Sequence, residues 1–549
     1  MLALFLLQNE IINDRMEQAY WLEKKGSLMK DKRLKYLFII FVICLIIFAI
    51  YIIRKQPVNK NNPVENQPIE EKIVSDLRLG ISEYDTIDPI ISKNRNAQNI
   101  ATLIYEPLIT ITRDYKLKGE LATEWAKTAE NSYIIKLKEG VKWHNGEDFT
   151  AEDVVYSINK IKQAEVSIYK DNVANIQLAT VVDLHTVKLE LINANEPFFE
   201  YNLIFPIQTA KGAQTSILAG TGMFKIDLED EKKIVLKRNQ YKENIENVKI
   251  KTIIVNKYLS MGEMYNDFKI GNVDLIQTNN INYSEHIGTL GYNVKEVCGR
   301  EYDFLAINTR NNALYNVEVR KAISFAIDKG NIVSEVYNNK YFVADFPLGY
   351  GSWLFNKEST SSGYNPEQSK QILSENGWKY ENNLWKKTID NKVVSLQFNL
   401  VVNSDNENRY KVAQIIKNQL EAVGIKVNII KTTTVNQEQY IRNKNYDLIL
   451  LGINVGVSPD LSLFIGENNP ANYENEEVYN ILTELPNITD ENIIKEKYKR
   501  IIEIYKNDIP YISLYFNSNI TLYSEKVAGD IDPNWYNLFY NISGWYVRE

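Results

Sequence analysis

Few residues in this chain could ligate a metal or act as nucleophiles. The histidines are His144, His185 and His286, and the cysteines are Cys44 and Cys298. None cluster at ligand spacing, so neither a CxxC zinc site nor an HExxH helix can be drawn. Cys44 lies inside an apolar run and Cys298 stands alone in the rest of the chain, with no identifiable histidine partner. An intramolecular disulfide in the folded part is therefore excluded. Neither a GxSxG elbow nor a GxxxxGK[ST] loop occurs. The adjacent acids Glu152 and Asp153 follow Thr150 and read as a helix N-terminus meeting its dipole, not as an acid–base pair. No catalytic residue, metal or cofactor is expected. Lys and Arg number 63 against 70 Asp and Glu over 549 residues, and 54 against 65 after residue 55. Phosphate backbones demand basic patches, so nucleic acid is excluded as a partner.

The elements that would hold a binding site are legible in stretches. In LATEWAKTAENSYIIKLKEGVKWHNGEDFTAEDVVYSINK, residues 121–160, Tyr133, Ile135 and Leu137 share one face of a strand and Asn145-Gly146 signals a turn. Thr150 with Asp153 three residues on is a capping box for a helix buried through Val154, Val155 and Ile158. Val319, Ala322, Ile323, Ala326 and Ile327 fall at helical spacing, and Gly330 is expected at that helix's C-terminus. Asn365-Pro366 reads as N-cap and first helical residue of a helix ending near Asn376-Gly377. Residues 395–453 alternate strand SLQFNLVVN, helix through Val412, Ile415, Ile416, Leu420 and Val423, Gly424 stop, strand IKVNII, a further helix and strand YDLILLGI. That pattern predicts βαβ units and a parallel sheet, with Gly452 to Asp460 facing a cleft beyond the strand end.

Tyr36 to Ile53 carries no charge over 18 positions, long enough for a membrane-spanning helix. Lys30, Lys32, Arg33 and Lys35 precede it, so the positive-inside bias puts everything from residue 56 outside. The competing reading is a lipoprotein signal acylated at Cys44, but Phe41, Val42 and Ile43 occupy the positions where a small residue is usual. Met29 begins a basic-then-apolar order, leaving two readings of residues 1–28: a cytoplasmic tail, or sequence upstream of the true start. QPVNKNNPVENQPIEEK reads as an extended tether.

The stretch Leu-Ala-x-x-Trp, strand, Gly-Val-Lys-Trp-His-Asn-Gly, Thr-Ala-Glu-Asp-Val-Val-Tyr-Ser resembles the family 5 solute-binding proteins, the receptors of peptide, nickel and related ABC importers. The resemblance runs collinearly from about residue 77 to the end. It takes in Thr86, Asp88 and Pro89, then IYEPLIT, GTGMFKI, KRNQYKEN, FKIGNVDLI, FLAINTR and the closing DIPYISLYFNSNITLYSEKVAG, similar to the family's last strand and helix. It implies an α/β, two-lobed, periplasmic-binding-protein-like clamp with an extra subdomain in the first lobe, preceded by one transmembrane helix. The implied organisation is 1–28 extension or tail, 29–55 anchor, 56–74 tether, 75–305 lobe I with its subdomain, 306–512 lobe II and 513–549 a return to lobe I. Crossings near 302–308 and 508–515 would form the hinge.

By the same resemblance the chain is a receptor for a peptide or peptide-like solute, with permease and ATPase subunits as partners, a membrane anchor and a monomeric extracytoplasmic body. The alternative is a membrane-anchored ligand sensor or signalling-peptide receptor without transport. Pocket candidates implied by the family's inter-lobe segments are Tyr105, Glu106, Asn308, Trp353, Gly452, Ile453, Asn454, Gly456 and Asp460. Peptide-binding members carry Gly-Trp-x-x-Asp after the last parallel strand, with the aspartate receiving the peptide ammonium. Here GINVGVSPDLSLF puts Gly456 or Val455 at that aspartate, leaving Asp460 and Glu106 as substitute acids.

Overall fold

The computed structural model describes residues 72–211, 218–349, 351–355 and 363–549. The expected anchor at 29–55, the segment 1–28 and nearly all of the tether at 56–74 lie outside the described residues. Among those described, no helix is long and apolar enough to cross a membrane.

One eleven-stranded sheet runs through both lobes. Its lobe II part places Gln397–Asn403 between Lys426–Thr432 and Leu448–Asn454, all three parallel. The helices Glu407–Ala422 and Thr434–Asn443 supply the crossovers, and Gly424 takes φ +87° after the first of them. The βαβ reading of 395–453 is thus the observed topology. Every core-facing position of Val401, Val402, Leu448 and Leu450 is fully buried because helices cover both faces of a parallel sheet. The lobe I part runs from Phe224–Glu229 through Lys233–Arg238, Thr252–Tyr258 and Asp76–Ser82 to Leu275–Thr278.

Two long antiparallel strands, Tyr292–Ile307 and Tyr511–Ser524, join the halves. Leu275–Thr278 pairs with the second strand at 520–523, whereas Leu448–Asn454 pairs with the first at 301–307. Between these regions the register breaks at Cys298 to Tyr302. A Cβ on Gly299 would lie 2.0 Å from Asn517 Oδ1, and that oxygen accepts the Glu301 N–H at 3.0 Å. A side chain thus substitutes for a ladder bond and the strand bulges. The ladder between the two long strands is thus interrupted at 298–302 opposite 516–518, next to the crossings expected at 302–308 and 508–515. After the second strand come short strands and a 3-10 turn at Ile542–Gly544; no α-helix is described there, contrary to expectation.

The extra subdomain is a four-stranded antiparallel sheet in the order 122–129, 132–137, 186–191 and 176–183, packed by the helix Ala151–Gln163. Tyr133, Ile135 and Leu137 are buried on one face, with Val154 and Ile158 opposite, as their spacing implies. Asp153 Oδ2 receives the Thr150 N–H at 2.9 Å, the helix-cap bond expected. Gly330 is a correction. The helix Val317–Ala326 ends before it, and Asp328 caps a second helix, Lys329–Tyr337, by accepting the Asn331 N–H at 2.9 Å. Gly330 lies inside that second helix, so the capping aspartate, not the glycine, sets the boundary.

His144 is structural. Its Nδ1 accepts the Gly220 N–H and its Nε2 lies on Gly222 O, each at 3.1 Å, which fixes a neutral ring carrying its hydrogen on Nε2. Burial holds its pKa down at about 4. A histidine depressed on folding gives stability that is full above about pH 6.5 and lost as pH falls through about 4, about 3 kcal/mol in all. Urea midpoints measured from pH 7 to 4 should fall over this window, and His144→Gln should flatten the fall. An undiminished slope in the variant would place the acid sensitivity elsewhere.

Candidate functional site

The lobes meet where a hairpin of lobe I, Ile109–Ile111 and Leu117–Gly119, projects its turn into lobe II. Tyr115 sits at the turn with φ +68°. Asp114 O accepts the Trp353 N–H at 2.9 Å, and the Lys116 ammonium lies 5.0 Å from the Trp353 ring centre. Lys116 also pairs with Glu491 of lobe II at 2.5 Å. The Tyr115 ring lies on the backbone of Gly349, where an added Cβ would be 2.7 Å from its carbons. Val457, from the loop after strand Leu448–Asn454, is buried in a cup formed by Ile111, Tyr115 and Tyr201. Tyr201 donates to Tyr115 O at 2.9 Å.

Beside these contacts lies a narrow concavity of about 10 Å³, hardly room for one water, lined by Tyr115 and Tyr201 from lobe I and by Leu348, Gly349, Ser352, Trp353, Gly456, Val457, Ser458 and Pro459 from lobe II. Ligand sites for drug-sized molecules occupy roughly 300–1,000 Å³, so a solute of that size needs the lobes to part further. A larger concavity of about 30 Å³ lies within lobe II alone. There Lys329 is bonded to Asp345 and to Ala344 O, each at 2.9 Å, which leaves its charge neutralised by the fold. The junction concavity is the better candidate because both lobes wall it.

Of the residues singled out in the sequence, Trp353 and Gly456 line the junction. Asn454 is exposed at the end of its strand, opposite Glu301 beside the crossing. Ile453 pairs with Tyr302 in the ladder and packs on the lobe II core. Gly452 is needed for packing: a Cβ there would lie 1.8 Å from Arg409 Nη2 and 2.3 Å from Asp303 Oδ1. Tyr105 is buried in the lobe I core, and its hydroxyl has no hydrogen-bond partner there. Glu106 is paired with Lys242. Burial pushes its carboxyl up, and Lys242 opposes that shift. Asn308 lies six residues past Tyr302, roughly 20 Å along an extended strand. Its side chain donates to Tyr446 O at 2.8 Å and accepts from Asn472 Nδ2 at 2.9 Å, a structural role away from the crossing. Asp460 Oδ1 accepts from Ser462 N at 2.9 Å and Ser462 Oγ at 2.6 Å, so it shapes the start of the helix Ser462–Ile465.

Sequence reasoning missed Tyr115, Tyr201, Val457 and a group centred on Trp535. The Trp535 indole donates to Tyr115 OH at 2.9 Å and its carbonyl accepts from Arg95 Nη2 at 2.7 Å. The Arg300 guanidinium lies 5.7 Å from its ring centre. Arg300 is in the crossing bulge, and its carbonyl accepts the Val455 N–H at 2.8 Å. These residues come from six segments with no shared periodicity, so no local signal could have found them.

The family model described as bacterial extracellular solute-binding proteins, family 5 (middle), matches residues 116–475. The chain is similar to the oligopeptide-binding protein AppA of Bacillus subtilis, 24% identical over 520 residues covering 86% of this chain and 92% of that one. It is also similar to heme-binding protein A of Haemophilus influenzae, 25% identical over 478 residues covering 78% and 84%. Among solved structures, that of a nickel ABC transporter from Bacillus halodurans matches with a TM-score of 0.75 at 19% identity, covering 86% of this chain and 100% of that one. The Bacillus subtilis AppA complex with a nonapeptide matches with 0.56 at 21%, covering 87% and 100%. At these identities the structural likenesses establish the two-lobed α/β fold.

Proposed function

Because the chain belongs to the bacterial extracellular solute-binding proteins of family 5, the substrate receptors of ABC importers and not enzymes, we propose that it captures a peptide or peptide-like solute between its lobes. The captured solute passes to a permease with cytoplasmic ATPases. The observation that carries this reading is the junction concavity, walled by Tyr115 and Tyr201 of one lobe and Trp353 and Gly456 of the other. The lobes are joined by two strands whose ladder is broken where they cross. Such a joint lets rigid lobes rotate about a few residues. Relatives whose names specify oligopeptide and heme support a peptide-sized cargo.

Native mass spectrometry of the full-length protein purified from its own cells should reveal a bound peptide or peptide-like molecule. X-ray scattering should then give a smaller radius of gyration with that molecule than after its removal, because a ligand that touches both lobes favours the closed pair. A radius unchanged at saturation would overturn the clamp.

An extracytoplasmic folded part is supported by the uncharged 36–53 run with basic residues concentrated before it. Protease added to intact cells should release a fragment beginning between residues 56 and 77. Fatty-acid labelling that disappears in Cys44→Ser would establish a lipoprotein anchor instead.

A further inference from the structure

Arg95 is the first residue of the helix Arg95–Ile104, and its charge adds to the positive end of that helix. Its Nη2 bonds to a carbonyl, Trp535 O, and its Nε is buried with no hydrogen-bond partner. Arg300 reaches the same tryptophan from the crossing strand. Among the described residues neither guanidinium forms an ion pair with a carboxylate; the charges acting on Arg95 are Arg300 and Glu301. Burial, then Arg300, push the Arg95 pKa down, while Glu301 opposes them. Glu301 is itself exposed. Two like charges converging on one ring, one half-buried and the other exposed, are relieved when an anion joins them.

A second unsatisfied polar group lies on the long strand Tyr511–Ser524. Asn519 is 2% exposed, and neither its Oδ1 nor its Nδ2 has a partner. Strand alternation puts Asn517, Asn519, Thr521 and Tyr523 on one face, and Tyr523 packs on the cluster that holds Ile100 and Leu103 of the Arg95 helix. A buried amide with both ends unsatisfied is costly unless something bonds to it.

We propose that the solute carries an anionic group, seated beside Trp535 between Arg95 and Arg300, with its apolar body in the adjoining Tyr115 and Val457 concavity. This rests on the capture reading above and specifies the ligand's charge. A guanidinium pair suits a carboxylate or a phosphate, because either oxyanion accepts the planar donors bidentately.

The test is calorimetry at low salt on the full-length protein with trialanine, trialanine amide, succinate and inorganic phosphate. The acid should bind at least about tenfold more tightly than the amide, the difference expected when charge-assisted bonds are lost. The preference should collapse in Arg95→Gln and Arg300→Gln. Arg300 is exposed, so the second variant keeps the test sound should the first fail to fold, and circular dichroism checks both. Equal binding of acid and amide by wild type would overturn the anion site and leave peptide capture standing. Binding of succinate or phosphate that the variants lose, with neither peptide bound, would support the anion site, distinguish carboxylate from phosphate and overturn peptide capture. Silence with all four probes would overturn both.

Discussion

Arg409→Met is expected to lower the stability of the lobe II sheet by about 3–5 kcal/mol, the usual cost of removing one partner from a buried ion pair. Arg409 Nε and Nη2 each donate to Asp303 at 2.8 Å, with 17% and 7% of the two side chains exposed. Burial works against the Arg409 charge, yet the Asp303 bonds outweigh it and its pKa rises. Asp303 Oδ2 also accepts from Tyr515 OH at 2.9 Å, so the carboxylate joins both crossing strands to the helix Glu407–Ala422 just inside lobe II. Removing the guanidinium strands that carboxylate, whereas Asp303→Leu with Arg409→Met removes both charges and should recover most of the loss. Gly452→Ala should be destabilising by about 1–3 kcal/mol through overpacking, since its Cβ would occupy the space of Arg409 Nη2. Urea unfolding, with hydrogen exchange at strands 397–403 and 448–454, reads these effects. A loss below about 1 kcal/mol for Arg409→Met would show the pair to be solvated.

Gly452 also shows where sequence reading stops. The alternation of strands and helices over 395–453 was legible because each element is set locally: apolar spacing in Val412, Ile416 and Leu420, a glycine stop at 424, a capping Asn365 with Pro366. The reason for glycine at 452 lies 149 residues upstream at Asp303, and no periodicity reports that. The crossing shows the same limit. The break in the ladder depends on Asn517 meeting Gly299 across it, which neither resemblance nor apolar spacing reports. Asn308 was implied by resemblance to the family's inter-lobe segments, but its side chain is bonded to Tyr446 O and Asn472. At the junction itself, Trp353 and Gly456 could be reached through resemblance, whereas Tyr115 owes its position to a left-handed turn and Arg95, Arg300 and Trp535 converge only in three dimensions.

Gly456→Asp is expected to create a preference for peptides with a free amino terminus that the natural protein lacks. Wild type should bind N-acetyl-trialanine at least as well as trialanine, because none of the positions the resemblance offered for an ammonium-binding acid is free for it. Gly456 and Val455 bear no charge, Asp460 is engaged with Ser462, and Glu106 with Lys242. An ammonium group enclosed there without a counter-charge is penalised by roughly 3–5 kcal/mol if fully buried. A carboxylate at 456 removes that penalty. The backbone tolerates it: Gly456 needs no left-handed φ, and an added Cβ would meet only Ser458 N, at 3.8 Å. Position 456 remains solvent-facing, so the gain should be on the order of tenfold for trialanine, not the hundredfold or more of complete burial. Calorimetry of both peptides against wild type and variant measures it, with Gly456→Asn separating charge from added bulk. A strong free-amine preference in wild type that persists in Asp460→Asn would mean that another acid already serves. Glu106→Gln would then identify whether Glu106, released from Lys242 on ligand entry, is that acid.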